Sequence, residues 1–117
     1  MNNIGKKFDS LETKERFFVN AKSGTLYDFS TIPFNGNIAE LCKYLEYLGD
    51  AYPGIFLFAS KKDDSYSILY KGESKNITEK IKEVSEMVDF STLGATHFCY
   101  DYESNDDIRK DILEDLC

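Results

Sequence analysis

The side-chain period of this chain changes abruptly between Tyr70 and Ile77, across Tyr70-Lys71-Gly72-Glu73-Ser74-Lys75-Asn76-Ile77. Upstream, Tyr66, Ile68 and Tyr70 alternate with other residues, which predicts a strand with those three on one face. Downstream, Ile77, Ile81, Val84 and Val88 recur at helical spacing. In between lie Gly72, which lets a backbone turn sharply, and Asn76, a helix cap with Glu79 at the matching capping-box position. A chain that passes so quickly from strand to capped helix belongs to a mixed class, neither all-helix nor all-strand.

The neighbouring segments extend that pattern. Residues 55–59 predict a buried strand with Phe56 and Phe58 on one face, and the charged turn Lys61–Ser65 makes it an antiparallel hairpin with the next strand. Residues 95–102 alternate again, with Thr96, Phe98, Tyr100 and Tyr102 on one side and His97, Cys99 and Asp101 on the other. Ser104 or Asn105 caps a last helix; Asp106 and Asp107 suit its positive end, and Ile108, Ile112 and Leu116 form its apolar stripe. From residue 53 onward the order is β-β-α-β-α, so the fold class is α+β.

The first half carries weaker signals. Residues 11–21 read as a helix running into a strand whose buried part is Phe17, Phe18 and Val19. Lys22-Ser23-Gly24-Thr25 is a turn, and Leu26-Tyr27-Asp28-Phe29 alternates like a strand, together a hairpin. Pro33–Gly36 reads as a loop. Asn37 with Glu40 predicts a second capping box, followed by the stripe Ile38, Leu41, Leu45 and Leu48, with Gly49 as the stop.

Composition narrows the function classes. At 117 residues with 42% hydrophobic and 15% aromatic content, the chain is long enough and apolar enough for one packed core. No run approaches a membrane span and no apolar leader stands at the N-terminus, so a cytoplasmic protein without a membrane partner is expected. Three widely spaced cysteines, Cys42, Cys99 and Cys117, form no zinc-ligand spacing; Cys42 is expected to pack as a small hydrophobe. The net charge is −7, and it is uneven: residues 1–50 hold 6 basic against 7 acidic groups, residues 51–117 hold 8 against 14. Phosphate contacts supply most non-specific nucleic-acid affinity, so this balance weighs against strong binding to DNA. The acidic run Asp101–Asp107 reads as a solvated loop and cap, or as a surface that mimics DNA for a protein partner. His97, Cys99 and Asp101 share a face, but one strand cannot easily converge three side chains on one ion, so ordinary sheet packing is the better reading.

Two short motifs carry a resemblance. Gly54-Ile55-Phe56 and Tyr70-Lys71-Gly72, followed by Ser74-Lys75-Asn76-Ile77, resemble the paired motifs that name the GIY-YIG nuclease family, over about residues 53–117. That resemblance implies a small three-stranded antiparallel sheet flanked by helices. Residues 53–117 would be the GIY-YIG-like domain and residues 1–52 an N-terminal extension, packed with it as one unit. It implies a metal-dependent endonuclease that hydrolyses DNA phosphodiester bonds with Mg²⁺ or Mn²⁺. Tyr70 would orient or activate water, Lys80 would take the place of an arginine at the phosphate, and Glu114, in Glu114-Asp115-Leu116-Cys117, would hold the metal. Gly54, Phe56, Gly72, Ser74 and Asn76 would shape the site. Phe56 stands where the family has a tyrosine, and Lys80 keeps charge without a guanidinium fork. Those departures define the alternative, a catalytically inactive GIY-YIG-like module that binds nucleic acid or a protein.

Overall fold

The structure, a computed structural model, describes residues 16–49 and 51–116. Five strands are present among them: β1 (Arg16–Asn20), β2 (Leu26–Pro33), β3 (Gly54–Lys62), β4 (Ser65–Ser74) and β5 (His97–Tyr102). Three helices accompany them: α1 (Ile38–Glu46), α2 (Ile77–Ser85) and α3 (Asp106–Asp115). All strands join one antiparallel sheet in the order β1-β2-β5-β3-β4.

The expected three-stranded sheet is therefore corrected to five strands. The hairpin β1–β2 does not stand apart from the motif half. It continues the sheet, with Ser30 opposite Tyr100 and Ile32 opposite Phe98. Local alternation showed that a strand existed near Leu26, but not which edge it would pair with, because a pairing that distant in sequence leaves no local periodicity. The strand also runs on to Pro33, where a loop was expected. Proline is tolerated there because it lies at the end of the ladder.

β3 sits inside the sheet and is buried on both faces from Gly54 to Ala59. Its even-numbered aromatics, Phe56 and Phe58, pack with Ile32, Phe98 and Tyr100 beneath α1 and α2. Its odd-numbered residues, Ile55, Leu57 and Ala59, pack with Val19, Phe29, Cys99 and Leu116 beneath α3. The result is three layers with the sheet in the middle, each face covered because each face of β3 is apolar. The sheet also curls. Phe17 on edge strand β1 meets Tyr66 on edge strand β4, ring centroids 4.6 Å apart, although four strand positions separate them.

Several local expectations change for identifiable reasons. The ladder between β3 and β4 slips after Phe58: Tyr70 pairs with Phe58 but Ile68 with Ala59, leaving Leu69 as an extra residue. This bulge turns the face over. Tyr66 and Ile68 join the core under α3, whereas Tyr70 joins the core under α2. The three do not share one face. β4 runs through Gly72 to Ser74, so the glycine lies in regular strand. Phe18 is exposed, while Val19 is buried. On α3, Ile108 is exposed and Arg109 is buried in its place. Leu48 and Val88 lie just beyond their helices yet still pack on the core. The expected helical start over residues 11–15, and Cys117, lie outside the described residues.

Candidate functional site

The motif residues meet at the junction of β3, β4 and α2. Phe56 stands opposite Gly72, Gly54 opposite Ser74. The far end of the Phe56 ring occupies the space beside Gly72: a Cβ there would approach its Cε1 to 2.7 Å and its Cζ more closely still. Tyr70 stacks on the same ring, centroids 6.1 Å apart at 21°, and meets Phe90 edge-on at 5.5 Å. Gly54 is equally constrained, because a Cβ would run into the Asp101 carbonyl of β5. The two motif glycines thus make room for an aromatic ring and a neighbouring backbone.

Ser74 and Asn76 build the start of α2. Ser74 Oγ accepts from Asn76 N at 3.0 Å. Asn76 Oδ1 accepts from Glu79 N at 3.2 Å, and its Nδ2 donates to Glu79 Oε2 at 3.1 Å. Ile77 N donates to the Tyr52 carbonyl at 2.9 Å. Two first-turn amides that could have faced an anion are therefore already bonded within the fold.

Lys80 projects from α2 and pairs with Glu83 at 3.4 Å, both side chains well exposed. Glu114 is exposed on α3, beside a shallow depression that it lines with Lys22, Ser23, Tyr27, Asp111 and Asp115. α2 and α3 cover opposite faces of the sheet. The structure brings Phe56, Tyr70 and Gly72 together and joins Ser74 to Asn76. It does not bring Lys80 and Glu114 to one place.

Glu114 shares its depression with two further carboxylates, Asp111 and Asp115. Among the described residues, no three His, Cys, Asp or Glu side chains converge as a ligand group. Asp115, the next carboxylate, accepts from Ser23 N at 2.9 Å, Ser23 Oγ at 2.6 Å and Tyr27 OH at 2.9 Å. The Ser23 hydrogen bond, more than any other cause, holds its carboxyl below the usual range. His97 rests edge-on against Tyr66 at 5.4 Å and Cys99 is fully buried, so that face of β5 is packing. Asp101 beside them is pushed up by burial and by Asp28.

Two features escaped the sequence reading. Arg109 is 3% exposed and donates to Glu73 Oε1 at 2.9 Å, to the carbonyls of Glu103 and Ser104 at 3.1 Å each, and to Asp106. Glu73 lies within the motif, so the guanidinium ties α3 and its leading loop to β4. Its helical phase, one residue beyond Ile108, was the only sequence signal, and an arginine on an inward face is normally read as solvent-facing. The second feature is a core hydroxyl pair, Tyr44 OH with Tyr100 OH at 2.9 Å, joining α1 to β5.

Among the described residues no helix is long and apolar enough to cross a membrane. Comparison with known proteins returns no match of any kind: no family model, no curated protein and no solved structure is significantly similar to the chain.

Proposed function

We propose that this chain is a catalytically inactive binding module whose partner is a protein with a basic surface. The observation that carries this reading is the placement of Tyr70, Lys80 and Glu114. Tyr70 lies under an aromatic stack, Lys80 pairs with Glu83 on one side of the sheet, and Glu114 stands on the other. Phosphodiester hydrolysis needs its water-activating, charge-neutralising and metal-holding groups within a few ångströms of one phosphate.

Charge favours a protein over a nucleic acid as the partner. The net charge is −7, and the exposed side of α3 carries Asp107, Asp111 and Glu114 against Lys110. A surface of that sign repels phosphates and speeds encounter with a basic protein.

The competing reading, a GIY-YIG-type DNA endonuclease, is separated by one set of assays. Supercoiled plasmid is incubated with the protein and Mg²⁺ or Mn²⁺, for the parent chain and for the Phe56→Tyr/Lys80→Arg double variant. No nicking by either, together with salt-sensitive binding of a lysine-rich peptide that weakens in Asp107→Asn/Asp111→Asn/Glu114→Gln, is the expected result. Nicking by the parent chain that disappears in Glu114→Ala would overturn the proposal.

A further inference from the structure

One peptide bond in the loop before α1 is arranged for chemistry on itself. Asn35 is followed by Gly36, the one asparagine–glycine pair in the chain. Asn35 is exposed, and Gly36 adopts φ +93°, a conformation open to glycine because it has no Cβ. The Asn35 carboxamide is held at both ends. Its Oδ1 accepts from the Asn37 backbone N–H at 2.9 Å, and its Nδ2 donates to Glu40 Oε2 at 3.1 Å. The first hydrogen bond runs from the side chain to the amide just beyond Gly36, so the carboxamide is turned along the chain toward the Gly36 peptide.

We propose that Asn35–Gly36 is a self-deamidation site, in which the fold presents the Asn35 carboxamide to the Gly36 nitrogen with Glu40 assisting. The Gly36 nitrogen, losing its proton, bonds to Asn35 Cγ and forms a five-membered ring. The charge that develops on Oδ1 is met by the Asn37 N–H already pointing at it, the arrangement of an oxyanion donor. The Cγ–Nδ2 bond then breaks and the amine leaves as ammonia. The proton that Gly36 N gives up is the proton that the amine gains, and Glu40, hydrogen-bonded to that amine, relays it. Water opens the resulting imide at either carbonyl, giving aspartate or isoaspartate. No oxidant, reductant or metal enters the balance.

Among the other described asparagines none precedes a glycine: Asn20 precedes Ala21 and Asn105 precedes Asp106. Asn37 and Asn76 are each followed by isoleucine, whose branched side chain crowds the attacking nitrogen. The product also differs from the parent in a definite way. An aspartate at position 35 cannot donate to Glu40, so two carboxylates face each other where one hydrogen bond stood. Both residues line the cleft of about 280 Å³ between the end of β2 and α1, so its rim gains a charge.

The test follows the Asn35 peptide of the full-length folded protein by mass spectrometry during incubation at mildly alkaline pH, with ammonia release and isoaspartate content measured in parallel. Asn35 is expected to convert at least about tenfold faster than Asn37, whose neighbour is β-branched. It is expected to slow by about tenfold in Glu40→Gln, where the proton relay is lost. A synthetic peptide spanning Phe34–Leu41 is expected to convert more slowly than the folded chain. The variant Asn35→Asp, which carries one of the two products from the start, is expected to show a lower Tm. Conversion of Asn35 no faster than Asn37, an unchanged rate in Glu40→Gln, or a peptide faster than the folded chain would each overturn the proposal.

Discussion

Gly72 shows how one residue can serve two readings. As part of a motif it looked like a turn; in the structure it leaves the space that the far end of the Phe56 ring occupies. Nothing local distinguishes those roles, because the absent Cβ is the same and only the residue across the ladder differs. The structural role has a measurable consequence. Gly72→Ala forces its methyl into the ring and is expected to cost about 1–3 kcal/mol, the range for overpacking a well-filled core. Combined with Phe56→Leu it should cost less than the sum of the two single changes, since removing the ring removes the clash. Urea unfolding of the four proteins reads this directly, and strict additivity would show that the ring does not need the glycine.

At the scale of elements, α3 is the one that the sequence described least well. Its caps were legible: Asn105 accepts from Ile108 N at 3.0 Å. Its inward face was not, because the buried member is Arg109, matched to Glu73 on a strand thirty-six residues away. Arg109→Met is expected to destabilise by about 3–5 kcal/mol, because Glu73 is left partly buried without its partner. The double variant Arg109→Met/Glu73→Leu should recover part of that loss in thermal unfolding. The other end of α3 is tied by Asp115 to Ser23 and Tyr27. Its carboxyl is depressed below the ordinary 3.8, so its contribution is present above that value and is lost as pH falls through the lower folded-state value. The stability difference between the parent chain and Asp115→Asn should therefore shrink as pH drops below 3.8. A difference that stays constant would remove the ionised carboxylate from the account.

At the scale of the molecule, the sheet is the unit of stability. β5 lies between β2 and β3, and the core beneath α1 and α2 draws Ile32, Phe34, Leu41 and Leu45 from the first half of the chain. A fragment of residues 53–117 would expose the β2-facing edge of β5 and lose those apolar partners, each worth about 1.5–3 kcal/mol when buried. The fragment is expected to show no cooperative unfolding transition by circular dichroism, whereas the full chain does. Cooperative melting of the fragment would make the motif half an independent domain.

The amino-acid sequence by itself determined the α+β class, the asparagine caps at Asn37 and Asn76, the β3–β4 hairpin and the alternation of β5. Each depends on residues within a few positions of one another, through side-chain period or cap hydrogen bonds. The reciprocal glutamate half of each capping box does not form, because the Asn37 and Asn76 amides donate to Asn35 and Ser74 instead. Tertiary structure alone decided the five-strand order, the bulge at Leu69 that separates Tyr66 from Tyr70, the burial of Arg109, and the placement of Lys80 and Glu114 on opposite sides of the sheet. These depend on which edges pair and how the sheet curls. That choice is made by the summed burial of side chains far apart in sequence, and no local pattern records it.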